Sequence, residues 1–168
     1  MVDATLADVS RWLAATPLSH TIRETGWIIP ALQTIHILAV AVVFASAILV
    51  NLRILRLLQR DVPLADVAKR FLPAIWPVLL ILLLTGGLLI VGEPKRSLLN
   101  STFYIKMMLL AVAVLLTAGL QWLLVSAAPQ FWERRRGTRT AALAAAALSI
   151  LVWCGIIFAG RWIAYTQV

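Results

Sequence analysis

The sequence is poor in the residues that build disulfide, metal and catalytic sites. Its 168 residues include one cysteine, two histidines and seven acidic residues. A single cysteine, Cys154, excludes an internal disulfide framework. With no carboxylate inside a long apolar run and only two histidines, the chain lacks paired carboxylates, a serine and histidine couple and a histidine metal cluster at membrane depth. The sequence therefore predicts no catalytic residues.

Charged residues are also scarce, and their absence from long stretches decides the class of protein. The composition is 62% hydrophobic and 13% charged, with a mean hydropathy of +0.94. Uncharged apolar runs cover 27–52, 71–92, 107–132 and 140–160, each long enough to cross about 30 Å of hydrocarbon. They predict an all-α, integral membrane, antiparallel four-helix bundle in a lipid bilayer. We expect one transmembrane domain over 1–168, with spans at about 27–58, 71–92, 102–128 and 140–163.

The first residues have a different pattern from the apolar runs. Leu6, Val9, Trp12 and Leu13 recur at helical spacing opposite charged residues, and Pro17 follows. This pattern predicts a short amphipathic helix over 3–16 that lies at the membrane interface.

The chain has a net charge of +8, and its charged residues cluster at the ends of the apolar runs instead of forming one polar face. This distribution is typical of topology signals and argues against nucleic acid as a partner. Nine of the fifteen cations fall in two connectors on one side, namely Arg53, Arg56, Arg60, Lys69, Arg70, Arg134, Arg135, Arg136 and Arg139. The positive-inside rule then predicts that both termini lie outside the cytoplasm.

Polar residues at membrane depth are the candidates for function, because each costs free energy unless it has a partner or a task. His36 lies near the predicted midplane of the first span. The other members of this predicted polar core are Gln33, Thr34, Asn51, Thr85 and Gln121. Of these, Asn51 and Gln121 are expected to meet near the inner face as interhelical hydrogen-bonding groups. For His36 two interpretations stay open: an imidazole hydrogen-bonded to another helix, or a ligand of a cofactor.

A cofactor would need further ligands at a similar depth. Met107, Met108 and Cys154 fall within a turn or two of His36 along their own spans. Imidazole with thioether and thiolate suits Cu(I), and histidine with methionine suits haem b, whereas His20 precedes the first span and makes bis-histidine ligation strained. The alternative is that methionine and cysteine only fill the core.

Four charged residues converge on the predicted outer rim: Arg23, Glu24, Lys106 and Arg161. They are interpreted either as a site for an anionic or quinone-like headgroup or as cations that anchor helix ends by snorkelling.

Four segments resemble a family of small bacterial four-helix inner-membrane proteins with a domain-of-unknown-function label: TIRETGWIIPALQTIHILA, NLRILRL, LLNSTFYIKMMLL and LSILVWCGIIFAGRWIAY. The resemblance implies a fold and a bacterial inner membrane, but no activity. In that membrane, the charge distribution predicts that both termini are periplasmic. Members of that family carry acidic residues at the positions of Gln33 and Asn51. On the third span they often carry an asparagine with a nearby histidine, where this chain has Gln121 and no histidine. These differences argue against a proton relay or a bis-histidine role. The architecture is also similar to copper-resistance membrane domains and b-type cytochrome bundles.

Two hypotheses follow from these observations. The first is a membrane-embedded binding or accessory protein centred on His36, which holds haem, Cu(I), a quinone or a lipid, as a homo-oligomer or beside a membrane redox partner. The second is a subunit of an oligomeric transporter or channel, since four helices with this little internal polarity cannot line a wide aqueous path alone.

Overall fold

The computed structural model describes residues 2–58, 61–126, 136–163 and Tyr165. Its helices, in chain order, are α1 (Val2–Ala14), α2 (Pro17–Glu24), α3 (Ile28–Ile54), α4 (Leu64–Gly92), α5 (Pro94–Leu98), α6 (Ser101–Gln121) and α7 (Arg136–Trp162), and a π turn (Trp122–Ser126) extends α6. The described residues form no strand. Sequence positions 59–60 and 127–135 lie outside the described residues, and with them Arg60, Trp132, Arg134, Arg135 and the end of the predicted third span.

Four of these helices are long and apolar enough to cross a membrane: α3, α4, α6 with its π turn, and α7. In a bilayer the backbone has no water to bond, so each span must satisfy its own amide groups, and helices do so. The all-α architecture with four spans and a short N-terminal helix, predicted from the apolar runs, is confirmed.

The four spans form a ring in which α3 packs on α4 and α7, and α6 packs on α7. The ring closes between α4 and the third span mainly through the π turn, since α4 and α6 make few contacts with each other. Consequently α3 and α6 face each other across the middle of the bundle. The α4–α6 seam is the loosest of the four.

Each span buries one narrow stripe. In α3 the buried positions include Ala39, Val43, Ala47 and Val50, with the three- and four-residue spacing of a helix seam. In α7 the stripe begins with small residues, Ala142, Ala146 and Ser149, which allow close helix approach. Most large apolar side chains outside these stripes are exposed, as expected for helices covered by lipid.

The start of α4 differs from the prediction. The second span was expected at 71, but α4 begins at Leu64, directly after Pro63 at its N-cap. Val67 and Ala68 are buried in the core, so the first two turns pack as part of the bundle although they carry charges on the other side. The helix continues through Pro73 and Pro77, which transmembrane helices tolerate.

The end of α3 also differs from the prediction. The first span was expected to reach 58, but α3 ends at Ile54 because Arg56 adopts a left-handed conformation with φ 58°. The amide of Leu57 donates to the Leu52 carbonyl at 2.9 Å, and the amide of Arg56 donates to the Arg53 carbonyl at 3.1 Å. This pair of bonds is a Schellman motif, with arginine where glycine is usual.

The N-terminal region forms two helices where the sequence predicted one. The Thr16 side chain accepts a hydrogen bond from the Ser19 amide, and Pro17 occupies the first turn, so Thr16–Pro17 starts α2 as well as ending α1. Helix α1 packs on α5, and α2 packs on α4 and α3. We call the end of the bundle that carries residues 2–24 and 94–98 the capped end, and the opposite end, with residues 55–58 and 61–63, the connector end.

The contact between α2 and α4 depends on a glycine. A Cβ placed on Gly92 would lie 2.7 Å from Ile22 Cγ2, a distance that side chains do not tolerate. Ile22 itself is buried, with 3% of its surface exposed. The absence of a side chain at Gly92 therefore allows α2 to sit on the end of α4.

We predict that Gly92→Ala lowers stability by about 1–3 kcal/mol, because Ile22 must move away from α4. Gly87→Ala is the control, since its added Cβ meets nothing within 4 Å. Thermal unfolding in detergent measures the difference, and limited proteolysis of residues 2–24 shows whether α2 has detached. Equal melting temperatures for the two variants would contradict this account of Gly92.

Candidate functional site

His36 lies on the buried stripe of α3, three residues before Ala39 and about 12 Å from the capped end of the helix. Its Nδ1 is 2.8 Å from the Thr85 hydroxyl of α4. Thr85 lies about 10 Å below the capped end of α4, so the two side chains meet at matching depth. The imidazole is half-buried between the two helices.

The Thr85 hydroxyl determines which tautomer His36 adopts. Its one proton donates to the Ile81 carbonyl at 2.7 Å, one turn earlier in α4. Both contacts of the hydroxyl can form together only if His36 Nδ1–H donates to the Thr85 oxygen. We therefore assign the proton of a neutral His36 to Nδ1, which leaves the Nε2 lone pair free to accept a hydrogen bond. None of the described residues bonds to Nε2.

A glycine on α4 allows the imidazole to approach. A Cβ on Gly86 would lie 3.4 Å from His36 Cε1, whereas one on Gly87 would meet nothing within 4 Å. An alanine would just fit at Gly86, but a branched side chain would push the imidazole away. The Gly86–Gly87 pair thus has one glycine against His36 and one on the exposed face of α4.

Lys106 is the predicted rim residue that lies on α6, the helix that faces α3 across the bundle. It lies two turns before the buried Ala113, on the same stripe of α6, and is half-buried. Its stem passes over Gly160 of α7, where a Cβ would lie 3.6 Å from Nζ. In the described part of the chain, the ion pairs are Arg11–Asp8, His20–Glu24 and Arg96–Glu93, and none involves Lys106.

The other predicted rim residues do not join Lys106. Arg23 donates to the Ala14 carbonyl at 2.7 Å and so connects α2 to the end of α1. Glu24 lies 3.3 Å from His20 on the same helix. Arg161 is exposed, donates to the Tyr165 hydroxyl at 3.1 Å and stacks over that ring. These three side chains make local contacts at the capped end.

The sulfur residues considered as cofactor ligands lie away from His36. Met107 is 42% exposed, Met108 is 72% exposed, and Cys154 is exposed on α7. His20 is an exposed residue of α2. Within the described residues no group of three or more histidine, cysteine, aspartate or glutamate side chains could hold a metal ion. Spacing along a helix predicted their depth but not their direction, and no set of ligands around His36 among the described residues supports haem b or Cu(I).

The remaining polar residues pair elsewhere. Asn51 and Gln121, expected to meet near the inner face, bond to other residues: Asn51 Nδ2 donates to the Ser149 hydroxyl at 2.9 Å, and Trp76 Nε1 donates to Gln121 Oε1 at 2.5 Å. Thr34 is exposed and donates to the Pro30 carbonyl of its own helix at 2.8 Å, and Gln33 is half-buried.

Sequence reasoning missed Ser149 and Gly160. A small-residue stripe over Ala142, Ala146 and Ser149 would have indicated a close helix contact, but not the partner of Asn51. No pattern in the sequence indicates that Gly160 lies against Lys106, because the contact depends on how α6 and α7 are rotated.

A family model covers residues 11–166 and is described as a family of unknown function, DUF6644. The chain belongs to this family. No curated protein and no solved structure matches it. The resemblance to an uncharacterised domain family is therefore confirmed, and the family description names no ligand or activity.

We predict that Thr85→Val lowers stability by about 1–2 kcal/mol, since His36 Nδ1–H loses its acceptor, while Thr85→Ser keeps it. Thermal unfolding in detergent measures the loss. Nitrogen NMR of histidine-labelled protein, in a His20→Gln background, should show the neutral His36 protonated at Nδ1 in the parent and in the serine variant. A neutral imidazole protonated at Nε2 in the parent would refute the assignment.

Proposed function

We propose that this protein is a membrane-embedded binding protein whose site is centred on His36 and which holds a small lipophilic molecule. The observation that carries the proposal is the His36–Thr85 bond. It fixes the imidazole between α3 and α4 with Nδ1 occupied and the Nε2 lone pair unused by the described residues. A polar atom held ready in a low-dielectric interior, without a protein partner, is suited to a ligand that supplies that partner.

The position of the site supports a ligand that arrives from the membrane. His36 lies about 12 Å from the capped end of α3, within the apolar part of the span. Large exposed apolar side chains surround it on the same helix, among them Ile35, Ile37 and Leu38. A ligand that reaches this depth must itself be largely apolar, which favours a lipid or quinone-like molecule over a water-soluble one.

We predict that His36→Ala and Gly86→Val each reduce the retained lipophilic molecule by about tenfold, the first by removing Nε2 and the second by displacing the imidazole. Gly87→Val is the matched control, because that neighbour faces open space. Native mass spectrometry of protein purified in mild detergent quantifies the bound molecule. Melting temperatures identify any variant that has lost its fold. Equal retention in all four proteins would refute a site at His36.

The proposed location is a bacterial inner membrane with the capped end on the periplasmic side. Both ends of the described chain lie at the capped end, since α1 packs on α5 and Gly160 of α7 lies beside Lys106 of α6. The described cations of the first connector, Arg53, Arg56, Lys69 and Arg70, lie near the connector end, which supports placing that end in the cytoplasm.

We expect alkaline phosphatase fused after Val168 to be active and a green fluorescent protein fusion there to be dark. The same reporters fused after Asp61, in the α3–α4 connector, should give the opposite pattern. Reversed results at both positions would place the capped end in the cytoplasm, whereas the bundle itself would be unaffected.

A further inference from the structure

Lys106 is the charged group whose placement in the bundle remains to be explained. Its side chain is half-buried on the stripe of α6 that carries Ala113, and its ammonium lies against Gly160 near the end of α7, where a charge partly removed from water gains from a partner. The described carboxylates with ion pairs are Asp8, Glu24 and Glu93, and each is bound to a neighbour on its own helix or turn. Among the described residues Lys106 has no anionic partner.

The neighbours of Lys106 show that its direction is fixed by the fold. Gly160 leaves the surface of α7 open for the lysine stem, with Nζ, Cε and Cδ at 3.6, 3.7 and 4.0 Å from the place of a Cβ. Lys106 lies about 8 Å below the start of α6, and His36 about 12 Å below the start of α3. The cation therefore sits nearer the capped end, with the imidazole deeper on the facing helix.

We infer that the ligand of the proposed His36 site is an anionic amphiphile that also carries a hydroxyl: its acidic group pairs with Lys106, and its hydroxyl donates a hydrogen bond to Nε2 of His36. The inference rests on the proposed function and specifies the class of ligand. A carboxylate or phosphate would supply the missing counter-charge, and charge-assisted hydrogen bonds to an ammonium are among the stronger ones. The headgroup of a hydroxyl-bearing anionic phospholipid such as phosphatidylglycerol has this chemistry, whereas an ionised fatty acid has the charge but no hydrogen to donate.

The loose seam between α4 and α6 is where the apolar tail would leave the bundle. These helices make few contacts with each other, and α4 instead meets the third span at the π turn, towards the connector end. Trp76 bonds to Gln121 at that end. Along α4, Trp76 lies about 13 Å closer to the connector end than Thr85 does. On the capped half no such bond between α4 and α6 is present among the described residues.

The test compares three probes with the purified full chain in detergent: oleic acid, phosphatidylglycerol and neutral monoolein, which has the same acyl chain as oleic acid. Native mass spectrometry measures the bound fraction of each. We expect phosphatidylglycerol to bind about tenfold more tightly than monoolein, which has hydroxyls but no charge, and Lys106→Met to abolish that preference. Oleic acid, which has the charge but no hydroxyl when ionised, should bind more weakly than phosphatidylglycerol; equal binding of these two probes would overturn the hydrogen bond from the ligand to His36.

Matched variants distinguish the effect of the Lys106 charge from general effects of substitution at the capped end. Lys106→Arg should keep the preference, and Arg161→Met, which removes an exposed cation at the same end, should leave it unchanged. If Lys106→Met does not fold, Gly160→Leu provides the same test, since it displaces the ammonium without removing its charge.

An anionic preference that survives both Lys106→Met and Gly160→Leu would overturn the inference, because Lys106 would then be a snorkelling lysine only. If all three probes bind equally and His36→Ala weakens the binding of each, the inference of an anionic ligand is overturned. The proposed function is retained in that case, because binding still depends on His36. If His36→Ala leaves the binding of every probe and of the co-purified molecule unchanged, the proposed function itself is rejected.

Discussion

The absence of water inside a bilayer is the constraint on which the rest of this structure depends. It requires each span to satisfy its own backbone, and it leaves the few polar side chains with neighbouring helices as partners. Three such bonds join adjacent members of the ring: His36 with Thr85 joins α3 to α4, Asn51 with Ser149 joins α3 to α7, and Trp76 with Gln121 joins α4 to the end of α6. The fourth pair, α6 and α7, meets where the Lys106 stem lies on Gly160.

The two halves of the bundle differ in what these contacts leave unpaired. Towards the connector end, Asn51 Oδ1 is neutral, fully buried and without a partner in the described protein. The capped half holds neutral, fully buried atoms without a partner, namely Ser10 Oγ, Ser19 Oγ and Trp153 Nε1, and in addition the Nε2 lone pair of His36 and the ammonium of Lys106, on facing helices. A charge in an apolar interior gains far more from an added partner than a neutral group does. Capacity for binding is therefore concentrated in the capped half.

The sequence predictions succeeded where they depended on properties along the chain, and they failed where they depended on which way a side chain faces. The apolar runs are a one-dimensional property of the chain, and the four membrane-spanning helices predicted from them are confirmed. The interhelical hydrogen bond that was one of the two interpretations of His36 joins it to Thr85. The grouping of Met107 and Cys154 with His36 depended on depth alone, and depth does not specify which way a residue faces. Asn51 was likewise paired with Gln121 by depth, but its partner is Ser149 because the small-residue stripe of α7 brings that helix close.

The sequence by itself determined the class of protein, the number of spans and the charge asymmetry of their ends. Insertion into a bilayer depends on the length, hydropathy and flanking charge of each segment, and these are properties of the linear sequence. Only the tertiary structure decided that Gly86 lies against His36, that Gly160 lies against Lys106 and that Thr85 fixes the imidazole. Those contacts depend on the rotation and spacing of packed helices. Packing sets both, through small residues whose partners are remote in the chain.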